Sequence, residues 1–398
     1  MTSPQNLRAL SNGNEQMTDF PQGFTLHVGN MGVKDDTNDL MLLSCNPQTT
    51  VAGVFTQSRF AGPNIEICRH NITSGTARAV AVVSKNANVA TGETGYADAK
   101  ELTELVAATV NADPTEIIIG STGVIGVRYP MDKIRTHLTQ LNEPFSEQSA
   151  ELAATAIMTT DTHPKVASAS AGPATIVGIA KGVGMIEPDM ATMIAIITTD
   201  AEITPDTLDQ TFRRVVHHTF NALSVDTDTS TSDMAIVLAS GQAGPVDENQ
   251  FETALSEVCL NLTRQLAADG EGAETLIVVN VTSARDNEQA RRVAKAIVNS
   301  PLVKTAVHGC DPNWGRVAMA IGKCDDADIN QHNVAIQFGK QEVYPTPATP
   351  QTLSELESYL AGDEVHITAD LGISDGTFTA YGCDLTDGYV RINADYTT

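Results

Sequence analysis

The segment Ile179-Ala-Lys-Gly-Val-Gly-Met-Ile-Glu-Pro-Asp-Met-Ala-Thr192 joins one apolar run to a threonine that opens a second, β-branched one. Gly182 and Gly184 allow close backbone approach, and Pro188 fixes its own φ while restricting Glu187. A threonine hydroxyl is a weak nucleophile unless a base stands beside it, and one base a chain can supply is the α-amine of that same residue. With an unperturbed pKa of about 7.7–8.0, such an amine needs only a small shift to act as a base near neutral pH. To expose it, the Thr192 hydroxyl must attack the Ala191 carbonyl carbon and water must then split the ester, giving residues 1–191 and 192–398. The same composition also describes a glycine-rich turn leading into a core strand, and on these residues alone that reading stays open.

Lys181-Gly-Val-Gly-Met-Ile-Glu-Pro-Asp-Met-Ala-Thr-Met193 resembles the signature of the ornithine acetyltransferase family. Further blocks agree with that family in order and over essentially the whole chain: Ser84-Lys-Asn-Ala-Asn-Val-Ala-Thr-Gly92, Ser121-Thr-Gly-Val-Ile-Gly126, Ile157-Met-Thr-Thr-Asp-Thr162 and Asp311-Pro-Asn-Trp-Gly-Arg316. The resemblance implies a chain cut at Ala191–Thr192, with Thr192 acting as nucleophile in both maturation and turnover. It marks Thr122 and Gly123 as the oxyanion-stabilising pair, and Thr159, Lys181, Thr192, Glu271, Asn393 and Thr398 as substrate contacts. Under it, Lys181 attracts a substrate carboxylate, Glu271 pairs with an ammonium group, and the C-terminus folds back into the site.

The activity so implied is a ping-pong transfer of an acetyl group from N-acetylornithine to glutamate, with no metal and no tightly bound cofactor. Some members of the family also accept acetyl-CoA. The implied assembly is a homo-oligomer of cleaved heterodimers, an α chain of residues 1–191 and a β chain of 192–398 folding as one catalytic unit. The implied fold is an α/β layered sandwich of the N-terminal-nucleophile kind shared with aminopeptidases. A threonine amidohydrolase or aminopeptidase is the enzymatic alternative, and a catalytically idle binding protein on the same fold is the non-enzymatic one.

Taken singly, these residues have plainer readings. Thr122-Gly123 reads as a turn after a strand, Glu271 as a solvated residue beyond a helix stop, and Lys181 as a surface charge. Three other leads fail on spacing. Asp226-Thr-Asp-Thr-Ser-Thr-Ser-Asp233 starts like a calcium loop but lacks the sixth-position glycine and has Val237 where a bidentate Glu is needed. Gly315 to Lys323 runs on into Cys324 as Gly-Lys-Cys, yet six residues separate its glycines where a phosphate loop needs four. His308, Cys310 and Asp311 are neighbours in sequence, which is not the geometry of a triad.

The elements that must position this chemistry read as a mixture. Strands are expected at Val51–Phe55, Ala79–Ser84, Glu116–Gly120, Thr175–Ala180, Thr192–Thr199, Ala235–Ala239 and Leu276–Val281. A helix opens at Thr204-Pro205, a capping residue with Pro at the first helical position, and carries Leu208, Phe212 and Val215 on one face. A second runs from about Asn249 to Ala268 with Phe251, Leu255, Val258, Leu262 and Leu266 as its apolar stripe, and a third covers Asn287–Asn299. Interleaved strands and helices point to a layered α/β or α+β fold. Residues 1 to about 20 read as a polar, flexible arm, with order beginning near Phe24.

The formal charge of −25, from 24 Lys and Arg against 49 Asp and Glu, repels phosphate backbones and anionic lipid, so nucleic acid and membrane surfaces are poor partners. The six cysteines are scattered without the spacing of a zinc site or a redox pair. A polar N-terminus and the lack of any long apolar run point to the cytoplasm.

Overall fold

A computed structural model of the chain describes residues 18–187 and 193–395. It divides into two units. The larger takes residues 18–187, 193–221 and 228–262, and the smaller takes 222–227 and 263–395.

In the larger unit eight strands form one sheet: β1 (Phe24–Gly29), β2 (Leu40–Phe55), β3 (Thr76–Val83), β4 (Ile117–Ser121), β5 (Lys165–Ala171), β6 (Ala174–Lys181), β7 (Ile194–Glu202) and β8 (Met234–Pro245). Their order is β4-β3-β2-β8-β7-β6-β5, with β1 paired to the first half of β2. Two pairs are parallel, β3 with β4 and β7 with β8, and the others are antiparallel. The register of β2 against β3 shifts between Ser44 and Thr49, so this long strand serves β3 along most of its length and gives its last six residues, Thr50 to Phe55, to β8. Strands from before and after residue 191 therefore alternate within one hydrogen-bonded sheet.

The middle strands carry unbroken apolar runs, Ala79–Val83 in β3, Ile194–Ile197 in β7 and Met234–Ala239 in β8, all of it buried. Such runs occur where both faces of a sheet are covered. Helices α1 (Pro63–Asn71), α2 (Gly92–Thr109), α3 (Met131–Leu138), α4 (Ala150–Ile157) and α5 (Pro205–His218) belong to this unit. Thr204 caps α5 by accepting from Thr207 N, Pro205 stands in its first turn, and Leu208, Phe212 and Val215 are buried, as the sequence predicts. The first part of α6 (Glu248–Ala268) covers β6, where a side chain on Gly178 would meet Val258 and Leu262 at 2.8 and 2.9 Å. All five stripe residues of α6 are buried.

The smaller unit has β9 (Leu276–Ala284), β10 (Ala335–Phe338), β11 (Gln341–Tyr344), β12 (Glu364–Asp370) and β13 (Gly376–Cys383), ordered β11-β10-β12-β9-β13. With them go α7 (Asn287–Val298), α8 (Pro301–His308), α9 (Trp314–Gly322), α10 (Pro350–Leu360) and α11 (Asp387–Asp395). The fold is thus a mixed, layered α/β one. Each strand and helix expected from sequence overlaps an element among the described residues, but Glu116 falls in a short 3-10 turn ahead of β4, Ser84 lies past the end of β3, and Thr192, the expected start of the strand seen as β7, lies outside the described residues. Ahead of β1, the Phe20 N–H donates to Gln148 O at 2.8 Å. No helix among the described residues is long and apolar enough to cross a membrane.

Candidate active site

β6 ends at Lys181, antiparallel β7 begins at Ile194 opposite it, and parallel β8 begins at Met234 opposite Ile194. The last residue of β6 and the residues just before β7 and β8 therefore lie side by side. The C-terminal end of β4 faces them across the interior: a side chain on Gly120 would stand 3.1 Å from Met234 Sδ and 3.5 Å from Ile194 Cδ1. β4 ends at Ser121, and beyond it come Thr122 and Gly123.

Lys181 is 5% exposed, not a surface charge, and its Nζ donates to Thr122 Oγ1 at 3.0 Å. Thr122 and Gly123 are held by two amides: Thr122 N donates to Val83 O at 3.1 Å and Val124 N to Lys85 O at 3.4 Å. Between these anchored amides Gly123 adopts φ 128°, and a β-carbon there would lie 2.2 Å from the Lys85 carbonyl carbon and 2.6 Å from Asn86 N. Only glycine lets the two backbones approach this closely.

The facing loop, Ser84 to Gly92, is itself tightly wound. Lys85, Asn88 and Ala90 have φ of 71°, 50° and 56°, conformations that side chains adopt at a cost and that persist where surroundings hold them. Here the holding groups are visible: Ser84 Oγ donates to Ala156 O at 2.8 Å, Asn88 Nδ2 to Gly95 O at 2.8 Å, and Asn86 Nδ2 to Arg128 O at 3.0 Å.

After α4 the chain turns through Thr159 to Asp161, which is the hub of the site. Asp161 Oδ1 accepts from Lys165 Nζ at 2.8 Å and from Gly182 N at 2.7 Å, while Oδ2 accepts from Thr159 N at 3.1 Å. The Asp161 and Lys165 side chains are fully buried. Burial alone would raise the Asp161 carboxyl, but the charges of Lys165 and Lys181, with the Lys165 and Gly182 hydrogen bonds, pull it down to about 2. Thr159 and Lys181 are thus brought together through a carboxylate that the sequence motif contained but to which no role was given.

Asp233, just before β8, is the second group without an assigned role. It is 1% exposed, and burial raises its carboxyl well above the ordinary range against the opposing pull of the Met193 N–H, the Lys181 charge and the Ser230 hydroxyl. The block Asp226–Asp233 resembles a calcium loop only in its first residues, and burial and the neighbouring Met193 amide, which give Asp233 its character, are not sequence signals.

In the smaller unit, Glu271 and Asn393 are adjacent, with Asn393 Nδ2 donating to Glu271 Oε2 at 2.8 Å and to Tyr389 O at 3.1 Å. The Glu271 turn is pinned to the start of α11. Thr386 Oγ1 donates to Gly272 O at 2.6 Å, and a β-carbon on Gly272, whose φ is 70°, would lie 2.4 Å from Tyr389 N. Ala191, Thr192 and Thr398 lie outside the described residues.

His308 pairs with neither Cys310 nor Asp311. Its Nδ1 is 3.1 Å from Asp384 Oδ2 and 3.7 Å from Glu274 Oε2, giving three ligand-type atoms within 4.8 Å of one another. Asp384 Oδ1 in that group already accepts the amides of Glu274 and Thr275 at 2.8 and 3.0 Å.

Residues 25–398 match the ArgJ family. Glutamate N-acetyltransferase Oat2 of Streptomyces clavuligerus is 54% identical over 385 residues, 95% of this chain and 98% of that protein. The arginine biosynthesis bifunctional protein ArgJ of Thermus thermophilus is 44% identical over 382 residues, 95% of this chain and 99% of that one. A crystal structure of ornithine acetyltransferase complexed with ornithine, from Mycobacterium tuberculosis, is 31% identical over 44% of this chain and 96% of its own, with a TM-score of 0.40. These relatives, matched over nearly their whole length, define an acyltransferase of arginine biosynthesis. The chain belongs to the ArgJ family.

Proposed function

We propose that the chain cuts itself between Ala191 and Thr192 and then moves an acetyl group from N2-acetyl-L-ornithine to L-glutamate through an acetyl-Thr192 intermediate. The observation that carries this reading is the Lys181–Thr122–Gly123 group facing the start of β7, two residues after Thr192. A lysine ammonium has hydrogens to give and no lone pair, so Thr122 Oγ1 accepts from Lys181 and the Thr122 hydroxyl hydrogen is left for a third atom. An oxygen acquiring negative charge as Thr192 attacks a carbonyl is the acceptor such a donor suits.

Acetyl donor and acceptor are both amines of amino acids, so the two amides are nearly equal in energy. The demand on the enzyme is to position the second amine and to keep water from the acyl-enzyme. In the larger unit Lys181 suits a substrate carboxylate, and in the smaller one Glu271 suits an ammonium group. The alternation of strands from either side of residue 191 in one sheet supports cleaved chains that stay together.

Intact mass of the purified protein beside Thr192→Ala, followed by incubation with N-acetylornithine, tests the reading. Two fragments split at Ala191–Thr192, with an acetyl adduct on the second that glutamate removes as N-acetylglutamate, are expected. A single unmodified chain in active protein would sink it. Release of free acetate without glutamate would make the protein a threonine amidohydrolase instead. Relatives are named bifunctional, and labelled acetyl-CoA in the same assay reads a second activity, direct acetylation of glutamate.

A further inference from the structure

Asp233 has one carboxyl oxygen, Oδ2, that is buried with no hydrogen-bond partner among the described residues. An orphaned buried carboxylate oxygen is unfavourable unless it carries its own proton or meets a donor. The rest of the residue is fixed. Thr56 N donates to Asp233 O at 3.0 Å, Met234 N donates to Met193 O at 3.0 Å, and the carboxyl takes hydrogen bonds from the Met193 N–H and the Ser230 hydroxyl. Ser230 is anchored in turn, its carbonyl accepting from Thr56 Oγ1 at 2.7 Å.

The Met193 N–H belongs to the peptide group that joins Thr192 to Met193. Only Cα and the carbonyl carbon separate the Thr192 nitrogen from the Met193 nitrogen, so covalent geometry holds the two within about 4 Å whatever the dihedral angles. The Thr192 nitrogen is the leaving group when the Ala191–Thr192 bond breaks, and an amide nitrogen does not leave without a proton.

We propose that Asp233 is the proton donor to the Thr192 nitrogen during self-cleavage. This rests on the reading that the chain is cut at Ala191–Thr192. In the acyl shift the Thr192 hydroxyl oxygen bonds to the Ala191 carbonyl carbon, the carbon–nitrogen bond breaks, and the nitrogen takes the Asp233 carboxyl proton. The hydroxyl proton returns to the carboxylate. Water then hydrolyses the ester, leaving the Ala191 carboxyl, the restored Thr192 hydroxyl and a free α-amine. Burial keeps the Asp233 acid protonated until it is used, and Lys181 close by favours the carboxylate that forms when the proton has gone.

The test is Asp233→Asn in the full-length chain, with cleavage followed by intact mass during cell-free synthesis beside wild type and Thr192→Ala. Asn keeps an acceptor for the Met193 N–H and loses the proton. Cleavage at least ~100-fold slower than wild type, in a soluble chain that still melts in one cooperative transition, is the expected result. Cleavage at the wild-type rate overturns the proposal. Should Asn give insoluble protein, Asp233→Ala synthesised with increasing formate supplies the readout. A rate that climbs with formate supports the proton donor, and one indifferent to formate overturns it. If wild type itself stays uncut, it is the self-cleavage reading that has failed.

Discussion

The ammonium of Lys181 stands 3.0 Å from the hydroxyl oxygen of Thr122, at the point where β6 ends and the residues after β4 begin. Because the ammonium only donates, it sets the direction of the threonine hydroxyl and strengthens it as a donor through the positive charge on its oxygen's lone pair. Thr122→Val, which keeps shape and removes the hydroxyl, is expected to slow acetyl-enzyme formation by about 10²–10³, as loss of one oxyanion donor does. Thr122→Ser is expected to recover most of that rate. Single-turnover mass spectrometry of the acetyl adduct measures both, and an unaffected Val variant would remove Thr122 from the oxyanion site.

Gly123→Ala tests the other half of the pair through sterics. Its β-carbon would lie 2.2 Å from the Lys85 carbonyl carbon and 2.5 Å from Lys85 Cα, which are backbone atoms of a loop already anchored on α4. Neither side can yield cheaply. Overpacking of this kind costs about 1–3 kcal/mol and displaces the amides around it. A lower melting temperature together with slowed acetyl-adduct formation is expected, and a variant normal in both would show that the two loops separate easily.

Legibility from the sequence followed the range of the forces involved. Local signals succeeded: the Thr204-Pro205 cap, the stripe of α6 and the apolar runs of β3, β7 and β8 are patterns within one element. Elements whose burial depends on distant partners were not assigned. β5 is Lys-Val-Ala-Ser-Ala-Ser-Ala, with a buried lysine at its head, and becomes a strand through its pairing with β6. The first half of β2 was missed although buried, because its continuation past Asn46-Pro47 looks like a turn rather than a register shift. In the site, Lys181 and Thr122 were named through resemblance, whereas Asp161 and Asp233 owe their roles to neighbours 20 to 40 positions away, Gly182 and Met193.

The buried pair of Asp161 and Lys165 predicts acid sensitivity. Its folded carboxyl lies near 2, below the ordinary carboxylate range, so its stabilisation is present above that range and is lost as pH falls through about 2. Asp161→Asn removes the charge that Lys165, Lys181, Gly182 N and Thr159 N all face, and breaking a buried pair from one side typically costs about 3–5 kcal/mol. Urea midpoints at pH 3 and pH 7 are expected to show a large loss at pH 7 and a smaller one at pH 3. Equal losses at both would mean that the carboxylate charge is not what holds the site.

Glu271 and Asn393 make a second, independent test of substrate recognition. Asn393 Nδ2 donates to Glu271 Oε2 at 2.8 Å, which orients a carboxylate suited to an ammonium group. Glu271→Gln keeps the size of the side chain and deletes the charge, so it is expected to raise KM for N-acetylornithine about tenfold or more, the cost of one charge-assisted contact. Asn393→Ala, which frees the carboxylate to move and removes the Asn393 amide from the site, is expected to act in the same direction. Unchanged affinity in Glu271→Gln would mean that the substrate ammonium is held elsewhere.

Asp233 carries a stability penalty that grows with pH. Its folded carboxyl keeps its proton well above the ordinary range, because of burial, while in the unfolded chain it ionises near the usual carboxylate pKa. The unfolded state therefore binds fewer protons over the interval between the two values, and stability falls as pH rises across it. The neutral amide of Asp233→Asn escapes that term, although it adds a buried N–H pair where Oδ2 already lacks a partner among the described residues. Among the described residues the charge acting on it is that of Lys181 on β6, whose attraction for the carboxylate works in the opposite sense. Melting temperatures of Asp233→Asn and Thr192→Ala, both uncut, are expected to move in favour of the Asn variant as pH rises from 4 to 8. A constant difference over that interval would show that Lys181 and the Met193 amide already hold Asp233 ionised, and its readiness to give a proton would go with it.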